Sequence, residues 1–284
     1  MRLLRGFRAL GLLATAALLA GLAAPQADAG KPASLAAGEW SRLFNDRDLT
    51  GWDTWLGKPN GGKEPIGLNQ DPKNVFSVIM EEGLPAIRIS GEVFGALTSE
   101  EEFENYHLKL QFKWGEKKWP PREKAVRDSG LLYHCVGPHG AAGSFWMQSL
   151  EFQIQEHDCG DFWSVAGVLV DVEADRGRRS TDPLIFRKGG QKCVGISSRI
   201  ARDRDYEKKV GEWNTLELLT VGGTSVHVVN GKVNMVLTNA RRKVNDKEVP
   251  LTRGKIQLQS EGAEIFFRHV AIRPLRSIPD QYLK

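Results

Sequence analysis

Cysteine, methionine and tyrosine are scarce in this chain, with 3, 4 and 4 of each among 284 residues. Cys135, Cys159 and Cys193 lack zinc-finger spacing, which argues against a structural zinc site. An odd set allows one disulfide in an oxidising compartment and leaves one thiol over, with the pairing open. A surplus of one charge is also missing, since 39 Lys+Arg face 35 Asp+Glu. That balance gives no reason to expect nucleic acid or an anionic membrane as partner. Past residue 29 no apolar run is long enough to cross a bilayer, and no helical apolar period of any length appears.

The amino terminus reads differently. Arg2, Arg5 and Arg8 precede an apolar stretch, Ala9–Ala24, and Ala27-Asp28-Ala29 supplies a small-x-small cleavage site. These features predict a secretory signal peptide over 1–29, cleaved after Ala29. Its loss removes three arginines and one aspartate and lowers the formal net charge from +4 to +2. Residues 30–39 read as a short tether, 40–276 as a single domain and 277–284 as a tail. A soluble, exported protein is expected, periplasmic or secreted and free of the membrane after cleavage. Its oligomeric state is left open.

Short strands account for most of the rest. In SLEFQIQ, Ser149, Glu151, Gln153 and Gln155 fall on one face and Leu150, Phe152 and Ile154 on the other. HLKLQFKW alternates as cleanly, with His107, Lys109, Gln111 and Lys113 opposite Leu108, Leu110, Phe112 and Trp114. SGLLYHC is a third strand, and Asn230-Gly231 makes a hairpin turn. Residues 57–74 read as a loop and the polar stretch 173–212 as a solvated excursion. Many short strands without a βαβ rhythm predict an antiparallel β-sandwich. The polar row of SLEFQIQ either faces water or lines a cleft, where a carboxylate and two carboxamides would meet a ligand.

Six stretches in order resemble one known family: LFNDRDLTGW, ENYHLKLQFKW, RDSGLLYHC, SLEFQIQ, EWNTLELLTVGGTSVHVVNGK and GKIQLQSEGAEIFFRHVAIRPL. The resemblance is to the 3-keto-disaccharide hydrolases and runs from about Trp40 to Pro274. It implies a concanavalin A-like jelly roll, the lectin and glucanase type of sandwich. It also implies cleavage of glycosides whose sugar carries a ketone at carbon 3. Where many members have arginine at the end of the N-S-G-φ-φ-Tyr-Arg pattern, this chain has His134, a residue that titrates near neutral pH.

Such a ketone acidifies the carbon-2 proton, so one base can drive elimination of the glycosidic oxygen from carbon 1, and water then adds back. Glu151 or His134 is the candidate base, and Lys113 the candidate for stabilising the enolate oxygen. His134 reaches Glu151 if Gly130, Leu132 and His134 share the cleft face. Gln153 is a candidate for holding sugar hydroxyls, and so is Gln259, which shares a polar face with Gln257 and Glu261. Trp55 and Trp163 are candidate stacking groups. Two other readings stand. One is a carbohydrate-binding sandwich without catalysis; the other is a retaining glycosidase using Glu151 and Glu156, which needs a bulge to bring them together. No cofactor is certain. A divalent cation has candidate ligands in Asp158, Asp161, Asp171, Glu173 and Asp175 (as for Ca²⁺), or in His134 with Glu151.

Overall fold

The computed structural model describes residues 38–177, 179 and 181–283. The expected signal peptide and most of the expected tether lie outside the described residues. Fourteen strands carry the architecture. They are β1 (Trp52–Leu56), β2 (Phe76–Glu81), β3 (Leu84–Ile89), β4 (Gly95–Ser99), β5 (Tyr106–Lys118), β6 (Asp128–Val136) and β7 (Gln148–Gln155). β8 (Phe162–Val165), β9 (Leu169–Asp175), β10 (Asn214–Val221), β11 (Thr224–Val229), β12 (Lys232–Val244), β13 (Arg253–Ser260) and β14 (Ala263–Pro274) follow.

They form two layers. The first runs β1–β4–β13–β6–β7–β8, and the second runs β2–β3–β14–β5–β10–β11–β12–β9. Every pairing within these two orders is antiparallel. At one side the hydrogen bonding turns the corner: β8 pairs with Ile200–Ala201, that pairs in parallel with Leu184–Phe186, and that pairs with β9. The stretch 173–212, expected as a solvated excursion, therefore supplies the corner between the layers. This is the all-β sandwich that the short alternating strands predict.

The apolar rows face inward as their period dictates. Leu150, Phe152 and Ile154 of β7 share one core with Leu108, Leu110, Phe112 and Trp114 of β5 and with Ile265 and Phe267 of β14. A polar bridge crosses it. Tyr133 of β6 donates to His227 Nε2 on β11 (3.0 Å) and meets Ser225 (2.8 Å), while His227 stacks on Phe152 with ring centroids 4.1 Å apart. Both groups are buried and paired, so the bridge ties the layers in one arrangement instead of leaving orphaned polar atoms. Two smaller apolar clusters lie on the outer faces. Leu132, Cys135, Met147 and Val165 pack under the loop 137–147, and Leu219, Val226 and Val228 are covered by Ile278. The segment after β14, expected as a tail, is thus packed against the second layer. All three cysteines are free and buried, so the one disulfide that their number allows is not formed.

Candidate functional site

The outer face of the first layer carries the polar row of β7. The partner positions place Asp53, Thr98, Gln257, Leu132, Glu151 and Trp163 side by side across six strands. Two residues along, Trp55 pairs with Ala96, Ala96 with Gln259, and Gly130 with Gln153. Gln259 also lies beside Gly130, and Ser129 Oγ donates to the Gln259 carbonyl (2.9 Å). Farther along come Asp128, paired with Gln155, and Glu261 just past β13.

Gly130 therefore sits at the centre of a polar frame and has no side chain. A Cβ there would stand 2.4 Å from Gln259 Oε1 and 2.5 Å from Glu151 Oε1. The two head groups lean over the glycine and occupy the space that a side chain would fill. Glu151 and Gln153 are 6% and 5% exposed, and Gln259 and Asp128 are 1% and 3% exposed. Gln153 Oε1, Gln259 Oε1 and Asp128 Oδ1 are buried without a hydrogen-bond partner among the described residues. Buried acceptors are seldom left in this state, and each costs about 1–3 kcal/mol. The frame is short of donors, as a seat for a polyhydroxylated ligand would be.

The electrostatics follow from burial and crowding. Burial, reinforced by the nearby Glu261 and Asp128 charges, raises Glu151 well above the ordinary glutamate range, while a hydrogen bond from Gln259 opposes this. Glu261 is raised by burial and by Asp128, and Arg122 opposes the shift. Asp128 is raised by burial against the pull of Arg122 and Gln155. Arg122 bridges the last two, in contact with Asp128 and 3.5 Å from Glu261. Its stem lies against Gly262, and its loop is pinned by Trp119, whose indole donates to the Ser90 carbonyl (2.9 Å). Three buried carboxyls with one guanidinium cannot all ionise cheaply, so the cluster holds protons into the neutral range.

Loops close the frame at both ends. Arg122 bounds one end. At the other, Met147 packs on Leu132, and its N–H donates to Gln257 Oε1 (3.1 Å). Gln257 also donates to Thr98 (2.9 Å) and is fully committed. Trp163, the cross-strand neighbour of Glu151, is 39% exposed. Its ring lies over the Arg199 guanidinium, 5.8 Å from the centroid, and Arg199 is held by Asp158 (2.9 Å) and Asp161 (2.6 Å).

Glu151, Gln153, Gln259 and Trp163 are thus brought together, and three candidates, His134, Lys113 and Trp55, are not. His134 takes a left-handed conformation (φ 50°) at a bulge that puts one extra residue into β6 against both neighbours. The bulge reverses the alternation, so Cys135 joins Leu132 on the outer face and His134 turns inward against Tyr106 and Tyr133. There His134 Nδ1 donates to the Leu251 carbonyl (3.2 Å), and burial lowers its pKa to about 4, so it is neutral at pH 7. Lys113 fails for a topological reason. Its strand, β5, lies in the second layer, and its outer face is the opposite side of the sandwich from Glu151. The ammonium is bound by Glu81 (2.5 Å) and Glu82 (2.6 Å) beside Trp213.

Trp55 shares the face of Glu151 but stands four strands from Gln153, about 19 Å at ordinary strand spacing. Its indole donates to the Ser144 carbonyl (3.2 Å) and its ring stacks on His139, so it anchors the loop 137–147. Glu156 lies past the end of β7, with its carboxylate on Arg127 (3.3 Å), so β7 contains no bulge that would pair it with Glu151. The aspartates expected as Ca²⁺ ligands are engaged by arginines: Asp158 and Asp161 by Arg199 and Arg202, Asp171 by Arg241, and Asp175 by Arg187. Among the described residues no group of three or more His, Cys, Asp or Glu side chains is arranged to hold a metal ion. Asp128, Arg122 and Glu261 were not singled out from sequence. Glu261 shares the period of Gln257 and Gln259, and Asp128 that of Gly130; Arg122, on a loop, carried no signal.

Residues 39–273 match the family described as the 3-keto-alpha-glucoside-1,2-lyase-like domain. The chain belongs to this family. That makes it a carbohydrate-active or carbohydrate-binding sandwich. Among solved structures it is similar to a protein of Parabacteroides distasonis ATCC 8503 provisionally assigned as a glycosyl hydrolase, at 20% identity and TM-score 0.49, covering 84% of this chain and 100% of that one. It is similar also to the carbohydrate-binding module CBM66 of Bacillus subtilis (10% identity, TM-score 0.42, covering 79% and 96%). A Bacillus licheniformis beta-glucanase is a third (12% identity, TM-score 0.41, covering 85% and 99%). No curated protein matches the chain.

Proposed function

We propose that this protein cleaves 3-keto-glycosides by elimination and rehydration, with Glu151 as the proton-transfer group. The observation that carries the reading is the Glu151 carboxyl, buried and raised in proton affinity, leaning over the side-chain-free floor at Gly130 among unpartnered acceptors. A general base works best when its pKa lies near the operating pH, and burial moves a glutamate in that direction.

Placed over Gly130, a sugar ring fits the frame in one order. The carbon-3 ketone points toward β13, where the Gln259 amide donates to the oxygen that gains charge. Carbon 2 lies beneath Glu151, and Gln153 accepts from a ring hydroxyl. Glu151 takes the carbon-2 proton, the bond from carbon 1 to the glycosidic oxygen breaks, and the proton passes from Glu151 to the departing oxygen. A carbon-1–carbon-2 double bond conjugated to the ketone remains. Water adds at carbon 1, giving its proton to Glu151, which returns one to carbon 2. The carboxylate is restored and the net change is hydrolysis. Lys113 and His134 have no part in this scheme. With the signal peptide expected at residues 1–29, we place the reaction outside the cytoplasm.

The test is product release, followed by mass spectrometry, from 3-keto-trehalose, 3-keto-lactose and their unoxidised parents. Cleavage of the keto sugars alone, reduced at least 100-fold in Glu151→Gln, is the expected result. Cleavage of the unoxidised parents would overturn the mechanism. Saturable sugar binding without product from any of the four would return the protein to the carbohydrate-binding reading.

A further inference from the structure

The order of groups across the first layer extends past the reacting carbons. From β13 through β6 and β7 to β8 it runs Gln259, Gly130, Glu151, Trp163. The frame is shut at one end by Arg122 and at the other by Met147, and Gln257 is tied down toward β4. The side toward β8 is the open one, where Trp163 keeps 39% of its surface exposed. Resting on the elimination reading above, carbon 3 toward β13 and carbon 2 beneath Glu151 leave carbon 1, with its departing oxygen, toward β8.

We infer that Trp163 is the leaving-group subsite, a stacking surface for an aglycone with a flat apolar face, and that Arg199 is its positioning residue. The chemistry that fits is shared by two sources, the C–H face of a second sugar and an aryl ring, because both stack on an indole. The Arg199 guanidinium lies over the ring, 5.8 Å from its centroid, fixed by Asp158 and the fully buried Asp161, whose second guanidinium partner is Arg202. A cation so held orients the indole, and 39% of the tryptophan's surface stays open to a ligand. An exposed tryptophan costs solubility, and here it is braced by an ion-pair network centred on the buried Asp161, whose charges have no role in proton transfer.

The experiment compares three 3-keto-glucosides that differ only in the leaving group: methyl, 4-nitrophenyl, and the glucosyl group of 3-keto-trehalose. For each substrate, kcat/KM of Trp163→Ala is divided by that of the wild type, so intrinsic leaving-group reactivity cancels. The expected result is a loss at least about tenfold larger for one or both flat leaving groups than for methyl, carried mainly by KM, with Trp163→Phe restoring most of it. A flat sugar effect without an aryl effect identifies a disaccharide subsite, and the converse an aryl one. Equal losses on all three substrates would overturn the inference. Arg199→Lys is expected to raise KM for the same flat substrates and not for methyl; a uniform fall in kcat would make Arg199 a structural residue only. If the wild type turns over none of the three, the elimination reading fails. The subsite is then judged by calorimetric affinities of the methyl and aryl compounds, where equal affinities for the wild type reject it.

Discussion

Gly130 shows how much a missing side chain can decide. Of the positions around it, Glu151, Gln153, Asp128, Gln259 and Glu261 carry polar head groups, and the glycine gives two of them somewhere to lean. The motif SGLLYHC contains this glycine in plain view, yet Gln259 is more than 120 residues away, and only strand order makes them neighbours. The charges of the cluster are coupled in the same way. Glu151 is raised in part by the charge of Glu261, so replacing Glu261 by glutamine removes a like charge and lets Glu151 ionise more readily. Because Glu151 must be deprotonated to act, the acidic limb of kcat/KM against pH is expected to move to lower pH in Glu261→Gln. A limb that stays in place would show that Glu151 does not sense Glu261.

At the scale of the strand, what the sequence made legible and what it hid have separate causes. Period two placed the inward rows of β5 and β7 correctly, because a half-buried strand has to alternate. It also put Glu151 and Gln153 on one face. It misplaced His134 because one left-handed residue reverses the faces of everything beyond it, and a histidine in a strand does not announce a bulge. It misplaced Lys113 because alternation tells the face of a strand and not the layer to which that strand belongs. The polar row itself, which a solvated edge would explain equally well, is buried, and only its neighbours reveal that. Lys113 has a different task. It fastens the turn Glu81–Gly83 between β2 and β3 to the outer face of the second layer, with Trp213 donating to Glu82 (2.7 Å). Lys113→Met is expected to leave turnover unchanged and to make that turn more sensitive to limited proteolysis. A collapse of turnover in a folded Lys113→Met protein would contradict the assignment of the site to the other layer.

Over the whole molecule the buried ionisable groups work in opposite directions. Burial lowers His134 to about 4 and His227 to about 3. The folded state therefore binds fewer protons than the unfolded chain, whose histidines titrate near 6.5. The stability these residues give is complete above that value and is lost as pH falls toward 4, by about 1.4 kcal/mol per unit for each group. Glu151 and Glu261 act oppositely, since the folded state keeps their protons longer and loses stability as pH rises through their raised values. Comparing one variant with the wild type separates the two. His134→Asn, which the left-handed backbone tolerates, is expected to flatten the dependence of urea stability on pH between about 6.5 and 4. An unchanged slope would mean that His134 is not held neutral.

The corner through Leu184–Phe186 and Ile200–Ala201 gives the molecule a spine on one side only. There the two layers are continuous through backbone hydrogen bonds, as the covers of a book are through its binding. Opposite, β2 and Gly67–Leu68 end their layers, and among the described residues no ladder joins them. That fore-edge is crossed by the loops 69–75 and 90–94, the first pinned by Asp71, whose carboxylate accepts from the Val75 and Phe76 N–H groups. Local opening is therefore expected to begin at the fore-edge, where no ladder has to break. The seat at Gly130, held between β13 and β7 toward the bound side of the page, is expected to keep its shape when the far margin opens.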